Sequence, residues 1–157
     1  MAWGYTGEAI SCSFGATDFT NADFTGTNTG MTYLVALDAS TTATTGAPLP
    51  VVRKTSAVTD IVYGVAVGID GDGRRSNNIE GPRRVRVVRG GTVLIKKMTD
   101  APAFTDIGGG VTGTTESGIS AVSAANGVGR GTIVGITGTT TNDYLIVDLD
   151  VDPILHA

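Results

Sequence analysis

Apolar residues occur along this chain in short runs that either alternate with polar residues or are interrupted by glycine, which is typical of β-strands. Residues 31–38 combine β-branched and aromatic side chains and predict one strand. Residues 61–69 are apolar almost throughout, so they predict a central strand that is covered on both faces. No segment repeats apolar residues at the i, i+3, i+4, i+7 spacing of an amphipathic helix. The pattern therefore predicts a fold built from strands and turns.

Regular alternation marks two further strands. In residues 83–89, Val85 and Val87 face one way while Arg84 and Arg86 face the other, as expected of a strand with one face on the core. The pair Gly90-Gly91 can supply the positive φ angles of a two-residue hairpin turn, so the chain is predicted to return along residues 92–98. Near the carboxyl end, residues 144–152 alternate between an apolar face and a face rich in aspartate.

Glycine and other turn formers separate the strands. Residues 70–82 are dense in turn formers and predict an exposed excursion between two strands. Residues 107–111 contain three consecutive glycines and predict a bend or a bulge. Further short strands are predicted at residues 51–53 and 131–136. Short strands punctuated by glycine predict an all-β fold, a small β-barrel or a sandwich.

Length and composition set the domain organisation. A chain of 157 residues suffices for one domain of ordinary size, and its 23 glycines leave little material for helices. We predict an extended N-terminal arm at residues 1–30, a β-barrel domain at residues 31–152 and a C-terminal tail at residues 153–157. No apolar run approaches the roughly 20 residues of a membrane span, and the amino end lacks the apolar core of a signal peptide. We therefore expect a soluble protein with no membrane partner.

Candidate chemistry is sparse in the sequence. The single histidine, His156, is the penultimate residue, which argues against a Ser-His-Asp or Cys-His site. Cys12 is the only cysteine, so we expect it to be a small buried apolar residue. Residues 70–73 (DGDG) begin like a calcium loop, but Arg74 and Arg75 stand where that loop needs a ligand and a glycine. We predict no catalytic, cofactor or metal site, and no enzymatic activity.

Positive charge is concentrated in one part of the chain. The formal net charge is −4, yet eight of the eleven lysines and arginines lie within residues 74–97, where Glu80 is the only acid. Arginine is suited to forked contacts with carboxylates, and the cluster contains no aromatic residue on which bases could stack. A protein partner is therefore favoured over nucleic acid, and a merely solvated face is the remaining alternative. The predicted partner-binding arginines are Arg74, Arg75, Arg83, Arg84 and Arg86.

The order of these motifs resembles small β-barrel head proteins of tailed bacteriophages, which decorate or cement the capsid. The resemblance covers most of the chain and rests on residues 63–67 (YGVAV), 85–97 (VRVVRGGTVLIKK), 106–111 (DIGGGV) and 129–135 (GRGTIVG), and on a final DYLIVDLDV. It implies a structural virion protein that is synthesised in the host cytoplasm and lies on the outer capsid surface. Such a protein would form homotrimers or homodimers and stabilise the shell by binding the major capsid protein through interface burial and charge complementarity.

The first thirty residues depart from this family pattern, because the shorter members begin near the first barrel strand. The resemblance implies that this aromatic-bearing arm reaches a neighbouring subunit, with Trp3, Tyr5 and Phe14 as partner-binding residues. Two other functions stay open, namely another phage structural component such as a tail or head-fibre protein, and a carbohydrate-binding β domain. The second would need exposed aromatic residues on one face, whereas Trp3 and the tyrosines are scattered along the sequence.

Overall fold

A computed structural model describes residues 7–14, 18–28, 30–38, 49–57, 60–74, 80–97, 100–113, 119–122 and 131–150. In this part of the chain the regular elements are ten strands and three short 3-10 helices, so the predicted all-β fold is confirmed. The strands are β1 (Ala9–Phe14), β2 (Tyr33–Leu37), β3 (Val51–Lys54), β4 (Gly64–Arg74), β5 (Glu80–Val88), β6 (Gly90–Ile95), β7 (Gly110–Gly113), β8 (Ile119–Val122), β9 (Gly131–Ile136) and β10 (Leu145–Asp150). The 3-10 helices are Asn21–Asp23, Gly26–Asn28 and Phe104–Asp106.

The strands form a closed barrel and a second sheet. The barrel has the order β1-β3-β2-β4-β5 and closes because β1 runs antiparallel to β5 and parallel to β3. The second sheet has the order β6-β10-β9-β7-β8. A barrel removes two exposed sheet edges, which is one way in which all-β proteins avoid edge-to-edge aggregation.

One core lies inside the barrel and follows from alternation along its strands. On β2, Tyr33 and Val35 point inward, and on β5, Val85 and Val87 do the same. The predicted inward valines are therefore confirmed. Cys12 lies in this core with no exposed surface, and burial raises the pKa of its thiol to about 11. Its expected role as a small buried residue is confirmed.

A second core joins the barrel to the second sheet. Leu34, Val65 and Val88 point out of the barrel wall and pack against the inner face of the second sheet. That inner face consists of Val93, Ile95, Val111, Ile133, Leu145, Val147 and Leu149. The predicted apolar face of the last strand is therefore confirmed, and it covers the barrel.

The predicted hairpin at Gly90-Gly91 is wrong. Gly91 does have a positive φ of 77°, but β6 pairs with β10, and β5 pairs with β1 and β4. The chain crosses at this point from the barrel into the second sheet. The reason lies in the two consecutive valines at the end of β5, because Val87 fills the barrel while Val88 packs against the second sheet.

The interpretation of residues 9–14 as part of an extended arm is also wrong. These residues form β1, whose residues Ala9 to Ser13 pair in register with Val88 to Arg84. Phe14 and Phe19 are each only 3% exposed, and their ring centroids lie 5.5 Å apart in an edge-to-face contact. Apolar side chains spaced by two residues along β1 complete the barrel core, so this segment contributes to the fold itself.

Residues 18–28 pack beside this core and are fixed by polar contacts. The Tyr33 hydroxyl donates a 2.8 Å hydrogen bond to the carbonyl of Asp23. The ammonium of Lys54 lies 2.8 Å from Asp23 Oδ1 and 4.9 Å from the centroid of the Tyr33 ring. The cation therefore has both a carboxylate and an aromatic face as partners, which favours its partly buried position.

The loop between β3 and β4 is organised around one carboxylate. Asp60 accepts hydrogen bonds from both terminal nitrogens of Arg53, at 3.0 and 2.9 Å, and from the amides of Ser56 and Ala57. These hydrogen bonds, that from Arg53 first, hold the pKa of Asp60 well below its ordinary value of 3.8. The ionised carboxylate is thus the form that closes this loop.

We expect the Asp60→Asn variant to be less stable than the wild type at neutral pH and less sensitive to acid. The pKa of Asp60 is lower in the folded state, so its contribution is present at pH values above the unfolded pKa of 3.8 and is lost as the pH falls below it. Urea midpoints measured at a series of pH values test this. Parallel pH profiles for the two proteins would contradict it.

Candidate partner-binding surface

The predicted excursion at residues 70–82 is replaced largely by strand. Among the described residues, β4 pairs with β2 only through residues 64–66, and β5 pairs with β1 only through residues 84–88. Beyond these points β4 and β5 continue to pair with each other as far as Arg74 and Glu80. The pair β4 and β5 therefore extends past the barrel as a two-stranded ribbon.

Bulges on β4 shape the part of the β4–β5 pair that borders the barrel. The register shifts between Ala66 and Gly68 and again between Ile69 and Gly71, so Val67 and Asp70 are extra residues on β4. A bulge bends its strand and redirects a side chain. The carboxylate of Asp70 accepts a hydrogen bond from Ser11 on β1 and lies 3.9 Å from Nε of Arg86 on β5.

Two arginines project from the outer barrel wall beside these bulges. Arg84 and Arg86 are both exposed, as the alternation along β5 predicts. The guanidinium of Arg86 lies across Gly68, since a Cβ added there would be 2.5 Å from its Nη2. We call Arg84, Arg86, Asp70 and Ser11 the arginine face.

The structure locates the predicted site residues unevenly. Arg84 and Arg86 share the arginine face, and the backbones of Arg74 and Arg83 lie on the ribbon, opposite Glu80 and Asp72. Phe14 lies in the barrel core and cannot reach a partner from there, so its prediction as a partner-binding residue is corrected. Trp3, Tyr5 and Arg75 lie outside the described residues.

Acids are interspersed with the arginines, which the charge count along the chain did not indicate. Within residues 74–97 Glu80 is the only acid, but pairing brings Asp70 and Asp72 of β4 beside β5. The arginine face carries both signs of charge. It therefore suits directional contacts with a mixed or acidic protein surface better than it suits the uniform negative charge of a phosphate chain.

The residues described in the structure include no group of three or more histidine, cysteine, aspartate or glutamate side chains that could hold a metal ion. They also include no helix that is both long and apolar enough to cross a membrane. Asp60 and Asp143 each accept three or more hydrogen bonds, and most of these close the loop that contains the carboxylate itself.

Comparisons with known proteins find no matching family model, no matching curated protein and no matching solved structure.

Proposed function

We propose that this protein is a structural component of a virion, a decoration or cement protein that binds the surface of the assembled capsid and stabilises it. The observation that carries the proposal is the arginine face, where Arg84 and Arg86 project from a closed barrel. The motif order that resembles small phage head proteins supports the same function. In this proposal the protein is made in the host cytoplasm and is located on the outer capsid surface.

The partner in this proposal is the major capsid protein, through carboxylates on its outer surface. A guanidinium donates two parallel hydrogen bonds to a carboxylate, and such charged contacts are stronger than neutral ones. The Arg86 guanidinium lies across Gly68, with its Nε 3.9 Å from Asp70, so part of its side-chain freedom is already restricted before a carboxylate binds.

Stabilisation of the shell follows from linkage. A protein that binds assembled subunits and not dissociated ones shifts the equilibrium toward the assembled state. Many copies on one particle, each bridging neighbouring subunits, add modest individual binding energies over the whole shell. No catalysis, nucleic acid or membrane takes part in this function.

We expect the Arg84→Gln, Arg86→Gln double variant to bind capsids about tenfold more weakly than the wild type, which corresponds to the loss of about 1.4 kcal/mol of charge-assisted contact. The ion pair of Arg86 with Asp70 is exposed, so its loss in the variant should leave the barrel folded. Sedimentation of the purified protein with expanded and unexpanded capsids measures the bound fraction.

A matched control separates local contacts from overall charge. The double arginine variant changes the net charge from −4 to −6, and Thr139→Asp with Thr141→Asp gives the same total by placing two acids on an exposed loop. The control should bind like the wild type. Equally weak capsid binding by both variants would mean that net charge alone explains the effect. Failure of the wild type to bind either particle would refute the proposed function.

A further inference from the structure

The outward face of the second sheet presents three rows of side chains that cross β6, β10 and β9. Register places Thr92 beside Asp148 and Asp148 beside Thr132 in the first row. The second row joins Leu94 to Ile146 and continues to Val134. The third row pairs Lys96 with Tyr144, because the Lys96 ammonium lies 5.9 Å from the Tyr144 ring centroid. We call these rows the outer sheet face.

The middle row is apolar and partly open to solvent. Leu94 and Ile146 are half-buried, and Val134 is 52% exposed. Val134 is the extra residue of a bulge, since Ile146 pairs with Gly135 and Val147 pairs with Ile133. Ile146 covers Gly135, where a Cβ would meet its Cδ1 at 3.4 Å.

More apolar surface is exposed beside β9, in the turn before β7. The turn before β7 is attached to β9 by hydrogen bonds between Gly108 and Ile133 and between Ile133 and Gly109, each 2.8 Å long. This turn carries Phe104 and Ile107, which are 75% and 44% exposed. Three of the six large exposed hydrophobic residues found in the described chain, Phe104, Ile107 and Val134, therefore lie on or beside β9. Concentrated apolar exposure of this kind marks an interaction surface.

Opposite charges flank the apolar row. Asp148 lies two residues beyond Ile146 on β10, and Lys96 lies two residues beyond Leu94, directly after the end of β6. Because these strands are antiparallel, the carboxylate and the ammonium lie on opposite sides of the row, each displaced from it by about 6.8 Å along its strand. The outer sheet face is thus negative on one side, apolar in the middle and positive on the other side.

We propose that a second copy of this chain packs on the outer sheet face, related by a two-fold axis that lies along the apolar row. Such an axis exchanges the two sides of the row, so Asp148 of each copy meets Lys96 of the other, while Leu94, Ile146 and Val134 pack against their counterparts. A two-fold contact requires a self-complementary surface, and equal displacement of opposite charges provides one. This inference does not rest on the proposed function, because the interface and the arginine face are on different sheets.

Sedimentation equilibrium of the purified full chain, without capsids, tests the proposal by charge exchange. The wild type should form dimers. Asp148→Lys and Lys96→Asp, each alone, should raise the dimer dissociation constant by about tenfold or more, because each creates two like-charge contacts per dimer. The two substitutions in one chain should restore the dissociation constant to within about threefold of the wild type, since the charges exchange sides.

Two controls keep the outcome unambiguous. Circular dichroism and thermal midpoints establish that each variant is folded, and Arg84→Gln with Arg86→Gln should dimerise like the wild type even though we expect it to bind capsids weakly. The inference would be overturned if the wild type stayed monomeric or formed trimers. It would also be overturned if the doubly exchanged variant associated no better than the single variants. If Asp148→Lys and Lys96→Asp each lose the dimer but still bind capsids like the wild type, the proposed dimer interface is supported and the proposed function is unaffected.

Discussion

Deletion of residues 1–30 is expected to leave a chain that no longer folds into the barrel. The deletion removes β1, which closes the barrel between β3 and β5, and it removes Phe14 and Phe19 from the core. Replacing one buried phenylalanine with alanine typically costs about 3–5 kcal/mol, and a whole domain is stable by only about 5–15 kcal/mol. Loss of a strand together with two buried rings therefore exceeds what the remaining contacts can offset.

Circular dichroism and amide hydrogen exchange of the truncated chain measure this effect. Deletion of residues 1–6 is the matched control, because it removes chain that precedes β1 and retains every pair that β1 forms with β5. The control should keep the slow-exchanging amides of β4 and β5. A folded chain after removal of residues 1–30 would contradict the structural role assigned to β1.

The faces of individual strands could be predicted from sequence. Alternation along β5 and β10 gave the correct inward and outward sets, since successive side chains of a strand point to opposite sides wherever that strand pairs. Val85 and Arg86 illustrate this, and so do Val147 and Asp148. These predictions use only local geometry, which the tertiary fold does not alter.

The partners of each strand could not be predicted in the same way. Val87 and Val88 are both buried because the barrel wall has a core on each side, and a wall of this kind looks like a plain apolar run in the sequence. A Gly-Gly pair after such a run fits a hairpin turn and a crossing between sheets equally well, because both need a positive φ, here at Gly91. Only the pairing of β6 with β10 distinguishes them.

The N-terminal strand was missed for a related reason. Four of its six residues, AISCSF, are alanine, serine or cysteine, so their pattern is weak compared with the valine-rich strands. A signal was nevertheless present, because Ile10, Cys12 and Phe14 alternate with serine. A strand with such weak alternation is stabilised by its tertiary contacts, here by the pairing of β1 with β5.

The candidate site was predictable in its arginines and not in its acids. Arg84 and Arg86 are outward because of their strand position, which the sequence contains. Asp70 lies near Arg86 at a bulge that adds a residue to β4, and a bulge depends on the pairing of two strands rather than on one sequence segment. Charge counted along the chain therefore overstated the positive character of this surface.

Replacement of Leu145 with alanine is expected to lower the free energy of unfolding by about 2–5 kcal/mol, because the side chain is fully buried between the second sheet and the barrel. Leu37→Ala is the matched control, since Leu37 lies at the end of β2 with 53% exposure, and we expect it to change stability by about 0.5 kcal/mol or less. Urea unfolding of both variants at low protein concentration gives the two values.

Amide hydrogen exchange tests the shared core more directly than the midpoint of the urea transition does. Leu34 and Val65 of the barrel pack in the same cluster as Leu145, so loss of this side chain weakens both sheets together. Amide exchange in β4 and in β10 should therefore accelerate by the same factor in Leu145→Ala, because global unfolding governs both strands in a two-state domain. Acceleration confined to β10 would mean that the second sheet opens independently, and the core between the sheets would then not bind them into one cooperative unit.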